Sequence, residues 1–121
     1  MTTKAIDEIY HILGNMLYAS VNKQYKEYKE AFCEVQRTPG MVQFNGYCID
    51  MEGKKQSISD MLVNRETSVV VHKLHDLTTK GSTFKWNKLL LKLNSSNEFK
   101  IDFINDKALE EKMAAYMKGQ V

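Results

Sequence analysis

The chain has 121 residues, a length for which one domain spanning residues 1–121 is expected and a second, catalytic one is not. Hydrophobic residues make up 43% and charged residues 26%, so a folded globular chain is expected rather than a disordered or fibrous one. With 17 Lys and Arg against 15 Asp and Glu the net charge is +2, too balanced for binding nucleic acid through the overall field alone.

The charge is spread mildly unevenly, net −1 over residues 1–60 and net +3 over residues 61–121. No apolar run approaches the roughly 20 residues of a membrane span. The start, Met-Thr-Thr-Lys-Ala-Ile-Asp-Glu, lacks the apolar stretch of a secretory signal. A cytoplasmic protein is therefore expected. Cys33 and Cys48 have no Cys-x-x-Cys spacing and are too few for a disulfide framework, so both thiols are expected reduced.

Residues 4–20 place Ile6, Ile9, Tyr10, Leu13, Met16 and Leu17 at helical intervals, which predicts an amphipathic first helix with Thr2 or Thr3 as its cap. From about Tyr28 the period becomes two. Ala31, Cys33 and Val35 then share one face of a strand, and Glu30, Phe32 and Glu34 the other. Arg37-Thr38-Pro39-Gly40 turns the chain into a second alternating run, Met41 to Met51. Here Val42, Phe44 and Cys48 share a face, Gln43, Asn45, Tyr47 and Ile49 the other, and Gly46 suggests a bulge. Ser57-Ile58-Ser59 can add a short strand. Asn64 is placed to cap a helix over residues 65–79, where Val70, Leu74 and Leu77 keep helical spacing despite the run Val69-Val70-Val71. Phe84 to Leu93 alternates again, with Leu89, Leu91 and Leu93 inward and Phe84, Trp86, Lys88, Leu90 and Lys92 outward. The turn Asn94-Ser95-Ser96-Asn97 leads into Phe99, Ile101 and Phe103. Asp106 can then cap a last helix striped by Leu109, Met113, Tyr116 and Met117.

The order α-β-β-α-β-β-α predicts a two-layer α+β domain, an antiparallel sheet of about four to five strands with helices packed on one face. The opposite face should carry Phe32, Tyr47, Ile49, Trp86 and Leu90 among charges of both signs, the composition of a partner surface. Coverage of those rings by the chain's own turns or by a dimer mate is the plainer alternative.

The chemistry is sparse. His72 and His75 lie one turn apart beside Asp76, but zinc needs three or four ligands, so a solvated pair is expected and no metal or cofactor. His11 falls on the polar side of the first helix. Cys33 sits between Ala31 and Val35 as a packed thiol rather than a nucleophile. There is no Gly-x-Gly-x-x-Gly, P-loop or nucleophile elbow, and an enzyme is not expected. Trp86 with Lys88, Lys92 and Lys100 could instead make a stacking platform for nucleic acid, although Glu30, Glu34, Glu98 and Asp102 would share it.

The block from Trp86 through Lys88-Leu89-Leu90-Leu91-Lys92-Leu93 and Asn94-Ser95-Ser96-Asn97 to Phe99-Lys100-Ile101-Asp102-Phe103 resembles the hairpin of the YezG-like immunity proteins, cytosolic antidotes to bacterial polymorphic toxins. Asn97 stands where that family commonly has glycine, and Ile104-Asn105-Asp106 replaces its aromatic-acidic continuation. Contact-dependent growth-inhibition immunity proteins are an equally suitable home. The resemblance implies a protein, monomeric or dimeric, that neutralises a toxin, often a nuclease, by occluding its active site. Carboxylates would meet a basic cleft and an aromatic ring would anchor the contact. The residues expected to do so are Glu30, Phe32, Glu34, Tyr47 and Trp86, followed by the acidic group Asp50, Glu52 and Asp60 around the exit of the second strand.

Overall fold

A computed structural model describes the backbone of all residues except Met1, Pro39, Ser82, Phe84 and 113–121, and the side chains of Thr2 and Thr3 are likewise outside the description. The expected caps Thr2 and Thr3, the outward position of Phe84 and the stripe residues Met113, Tyr116 and Met117 all fall there.

The chain folds as α1 (Thr2–Gln24), β1 (Glu30–Thr38), β2 (Met41–Ile49), β3 (Lys55–Ile58), α2 (Arg65–Thr79), β4 (Lys88–Asn94) and β5 (Phe99–Ile104), followed by helix over residues 107–112. The five strands form one sheet in the order β3-β2-β1-β4-β5, and every neighbouring pair is antiparallel. This is the α+β architecture expected from the alternation of periods. The third strand begins two residues earlier than Ser57, and α1 runs further in both directions than residues 4–20.

Alternation decides which side of the sheet is covered. Ala31, Cys33 and Val35 of β1, Cys48 of β2, and Leu89, Leu91 and Leu93 of β4 are buried, whereas their in-between neighbours are not. Leu13, Leu17 and Val21 of α1 and Val71 and Leu74 of α2 complete the core on that side. α1 packs on four of the strands, and α2 packs against α1. Burying such a Leu side chain is worth about 1.5–3 kcal/mol, so a charge in the stripe would be strongly destabilising.

Local chemistry sets the element ends. Asn64 caps α2 by accepting from Thr67 N at 3.0 Å, while the Thr67 hydroxyl accepts from Asn64 N at 2.9 Å, closing a capping box. In the β2–β3 turn one oxygen of Asp50 accepts from the N–H groups of Glu52 and Lys54, both at 2.9 Å, and the other accepts from the Gln56 amide at 3.0 Å. Those donors hold the Asp50 carboxyl below its ordinary pKa, the Lys54 N–H foremost. In the β4–β5 turn Asn97 has φ 63°, the left-handed region where glycine is at ease and asparagine is the best-tolerated substitute.

Gly46 corrects one expectation. It pairs with Cys33 in an unbroken β1–β2 register, so there is no bulge. A Cβ built there would run into Sδ of Met61, and the position is small because the segment after β3 crosses directly above it. That segment is tied to α1 by the buried Ser20 hydroxyl, which accepts from Leu62 N at 2.8 Å and donates to Met16 O at 2.6 Å.

Candidate partner-binding surface

With both long helices on one side of the sheet, the described residues leave the other side open. At its centre Phe32 and Tyr47, direct partners in the β1–β2 register, stack with ring centroids 5.0 Å apart and planes 19° from parallel. Lys55 of β3 places Nζ 4.2 Å from the Tyr47 ring centroid, a cation–π contact. Burial pushes the Tyr47 hydroxyl pKa up, and the neighbouring Glu34 adds to the rise. Glu30 and Glu34 flank Phe32 on the same face of β1, and Leu90 lies opposite Glu34 on β4.

The charges on this face are not equally free. Lys92 Nζ lies 2.7 Å from Asp102 Oδ2, and Lys88 Nζ lies 3.0 Å from Asp106 Oδ2. The Asp102 bond raises the Lys92 pKa, and the Lys88 bond lowers that of Asp106. Among the described residues Glu30, Glu34 and Lys100 take part in no ion pair.

Four of the eight expected contact residues, Glu30, Phe32, Glu34 and Tyr47, thus come together on the open face. Asp50 and Glu52 lie in the turn at one end of it, with Asp50 engaged in the turn bonds and Glu52 exposed 3.7 Å from Lys54 Nζ. Asp60 belongs elsewhere, paired at 2.8 Å with Lys23 of α1. Lys55 joins the face because β3 begins there and not at Ser57. The alternation of Lys55 and Ser57 with Ile58 carries the signal for that start.

Trp86 is a correction. It is not on the open face but 2% exposed in the core, 4.9 Å from the His75 ring and 5.6 Å from Phe103 by ring centroids. Its Nε1 donates to Thr78 Oγ1 at 2.8 Å. The ladder begins only at Lys88, so parity counted back from β4 does not govern residue 86, and the large ring turns toward the helices. A stacking platform built on Trp86 is lost with it.

His72 and His75 are not a solvated pair either. Nδ1 of His72 accepts from Arg37 Nε at 3.1 Å. His75 is largely covered by Trp86, its side chain 17% exposed, and its Nδ1 is buried without a hydrogen-bond partner. Burial and then the Arg37 charge hold its pKa below 6.5. Among the described residues no three His, Cys, Asp or Glu side chains gather as a metal site. Cys33 and Cys48 are both free and buried, and burial pushes the Cys33 thiol up to about 12, the opposite of what a nucleophile needs.

No helix among the described residues is long and apolar enough to cross a membrane. No protein-family model matches the chain, and no curated protein matches it either.

Proposed function

We propose that this protein is a cytoplasmic immunity protein that binds a bacterial toxin, a nuclease being the best-fitting class, and blocks its active site or substrate path with the open sheet face. With no family match to lean on, the reading rests on that face and on the hairpin pattern of residues 86–103. The observation that carries it is the distribution of committed charge. The lysines Lys88 and Lys92 are neutralised by aspartates of the same chain, whereas Glu30 and Glu34, on either side of the stacked Phe32 and Tyr47, have no ion-pair partner among the described residues. Unpaired carboxylates around an aromatic anchor suit a basic cleft, where they steer encounter while the ring fills a desolvated pocket. The same neutralisation disfavours the alternative, a nucleic-acid-binding sheet, which needs its lysines free for phosphate.

The test is coexpression with a nuclease toxin domain, taken from a gene neighbouring that of this protein where one is present. The wild-type protein should relieve growth arrest, and Glu30→Lys combined with Glu34→Lys should abolish relief while leaving folding stability within about 1 kcal/mol, as surface changes usually do. Undiminished protection by that double variant would remove the interface from this face. RNA binding by the purified protein with a steep salt dependence would favour the alternative.

A further inference from the structure

β5 is the outer strand of the sheet, and among the described residues nothing pairs with its far edge. Asn94 N bonds to Glu98 O at 3.1 Å, and Asn87 N bonds to Ile104 O at 3.1 Å. The backbone groups of the even-numbered residues 98–104 therefore point to β4, and those of Phe99, Ile101 and Phe103 point outward. This edge contains no proline and no bulge, its register with β4 running unbroken from Leu93↔Phe99 to Lys88↔Ile104, so the charges of Lys100 and Asp102 are what guard it.

Its charges are arranged in an unusual way. Lys100 lies directly opposite Lys92 in the β4–β5 register, a like-charge juxtaposition that costs stability in a sheet. It has no ion-pair partner among the described residues. Asp102, two residues on and on the same face, uses Oδ2 for Lys92. Read about Ile101, the sequence Phe99-Lys100-Ile101-Asp102-Phe103 is chemically self-complementary in the antiparallel sense. Turned end over end, phenylalanine meets phenylalanine, lysine meets aspartate, and isoleucine meets itself.

We infer that β5 pairs with β5 of a second copy of this chain about a two-fold axis through Ile101, joining the two sheets into one. In that register the outward backbone groups of Ile101 face their own copies, and those of Phe99 face Phe103 of the second copy. Lys100 then falls opposite Asp102 of the second copy at a non-hydrogen-bonded position, where cross-strand side chains approach most closely. The contact is isologous and closes on itself, so it makes a dimer rather than a filament. It leaves both open faces free and is independent of the toxin reading.

Sedimentation equilibrium on the full-length chain tests this without any toxin. The wild type should pass from monomer to dimer as concentration rises. Lys100→Asp sets a carboxylate opposite Lys92, which keeps the monomer folded, but makes both intermolecular pairs repulsive. It should raise the dissociation constant about tenfold or more, the two cross-strand pairs together being worth on the order of 1–2 kcal/mol. Asp102→Lys, with its fold verified by circular dichroism, should do the same. An equimolar mixture of the two variants places opposite charges at both positions and should recover dimer as a heterodimer. A wild type that stays monomeric at millimolar concentration, a dimer indifferent to Lys100→Asp, or a mixture that does not re-associate would each overturn the assignment.

Discussion

Trp86 and Phe32 offer a paired experiment, because the structure gives the two rings opposite jobs. Trp86 is buried between His75 and Phe103, and its indole N–H bonds to the Thr78 hydroxyl at 2.8 Å. Trp86→Phe removes that bond, worth about 1 kcal/mol. It also removes the pyrrole part of a packed side chain, worth about 1–2 kcal/mol of burial and cavity. The expected loss of about 2–3 kcal/mol lowers the melting temperature by about 8–12 °C in a domain of this size. Phe32→Ala removes only a half-buried ring and its stack on Tyr47, about 0.5–1.5 kcal/mol. As an interface anchor, however, it should weaken toxin binding by about 30-fold or more. Urea unfolding followed by far-ultraviolet circular dichroism suits both variants, since Trp86 is the sole tryptophan and fluorescence disappears with it. An unchanged midpoint for Trp86→Phe together with lost binding would refute the reasoning, because it would put the indole on the outer face.

Two further measurements probe local chemistry. His75 is held neutral in the fold by burial and by Arg37, with Lys85 adding to that effect and Asp76 opposing it. The unfolded chain takes up a proton near pH 6.5 that the native state resists, so stability should fall as pH drops below that value. His75→Gln should flatten the profile between about pH 7 and pH 5, and an equally steep profile in the variant would exclude His75 as its source. At Asn97, φ 63° makes any Cβ-bearing residue other than asparagine or aspartate strained. Asn97→Ala should cost about 1 kcal/mol and Asn97→Gly should be neutral or stabilising by about 0.5 kcal/mol. Alanine tolerated without loss in thermal melts would mean that the turn adopts another form.

Where local chemistry and tertiary packing agree, the fold was legible in the sequence. Helix α2 starts after Asn64 and ends at Thr79 as expected, because the cap and the spacing of Val70 and Leu74 outweigh the β-preference of three consecutive valines. The two faces of β1 were equally plain, since a strand covered on one side writes its burial as strict alternation. The position of Trp86 is not legible from alternation, because the ladder that enforces alternation stops at Lys88. Asn87 closes that end, with its side chain accepting from Asp106 N at 2.8 Å and donating to Asp106 O at 2.9 Å, a contact across 19 residues that no periodicity encodes. Gly46 was likewise opaque, because its occluding neighbour Met61 arrives from a segment outside the sheet.

Of the candidate surface, the sequence could supply the residue list but not the ion pairing. Glu30, Glu34, Lys88, Lys92, Lys100 and Asp102 read as an even mixture of charge until the register is known. The β1–β4 register sets Lys92 beside Phe32, and the β4–β5 register puts Lys100 opposite Lys92 and Asp102 diagonal to it. Lys92 takes Asp102, so among the described residues Lys100 is left without a partner on the edge strand, and Glu30 and Glu34 are left without one on β1. A slip of one residue would have turned the buried leucines of β4 outward, a loss of several kcal/mol that fixes the register through packing alone. Core packing thus decides which charges on the opposite side remain available. The basic partner proposed for the open face would meet the unpaired Glu30 and Glu34, and the second copy proposed at the edge would give the unpaired Lys100 an Asp102 shared with Lys92.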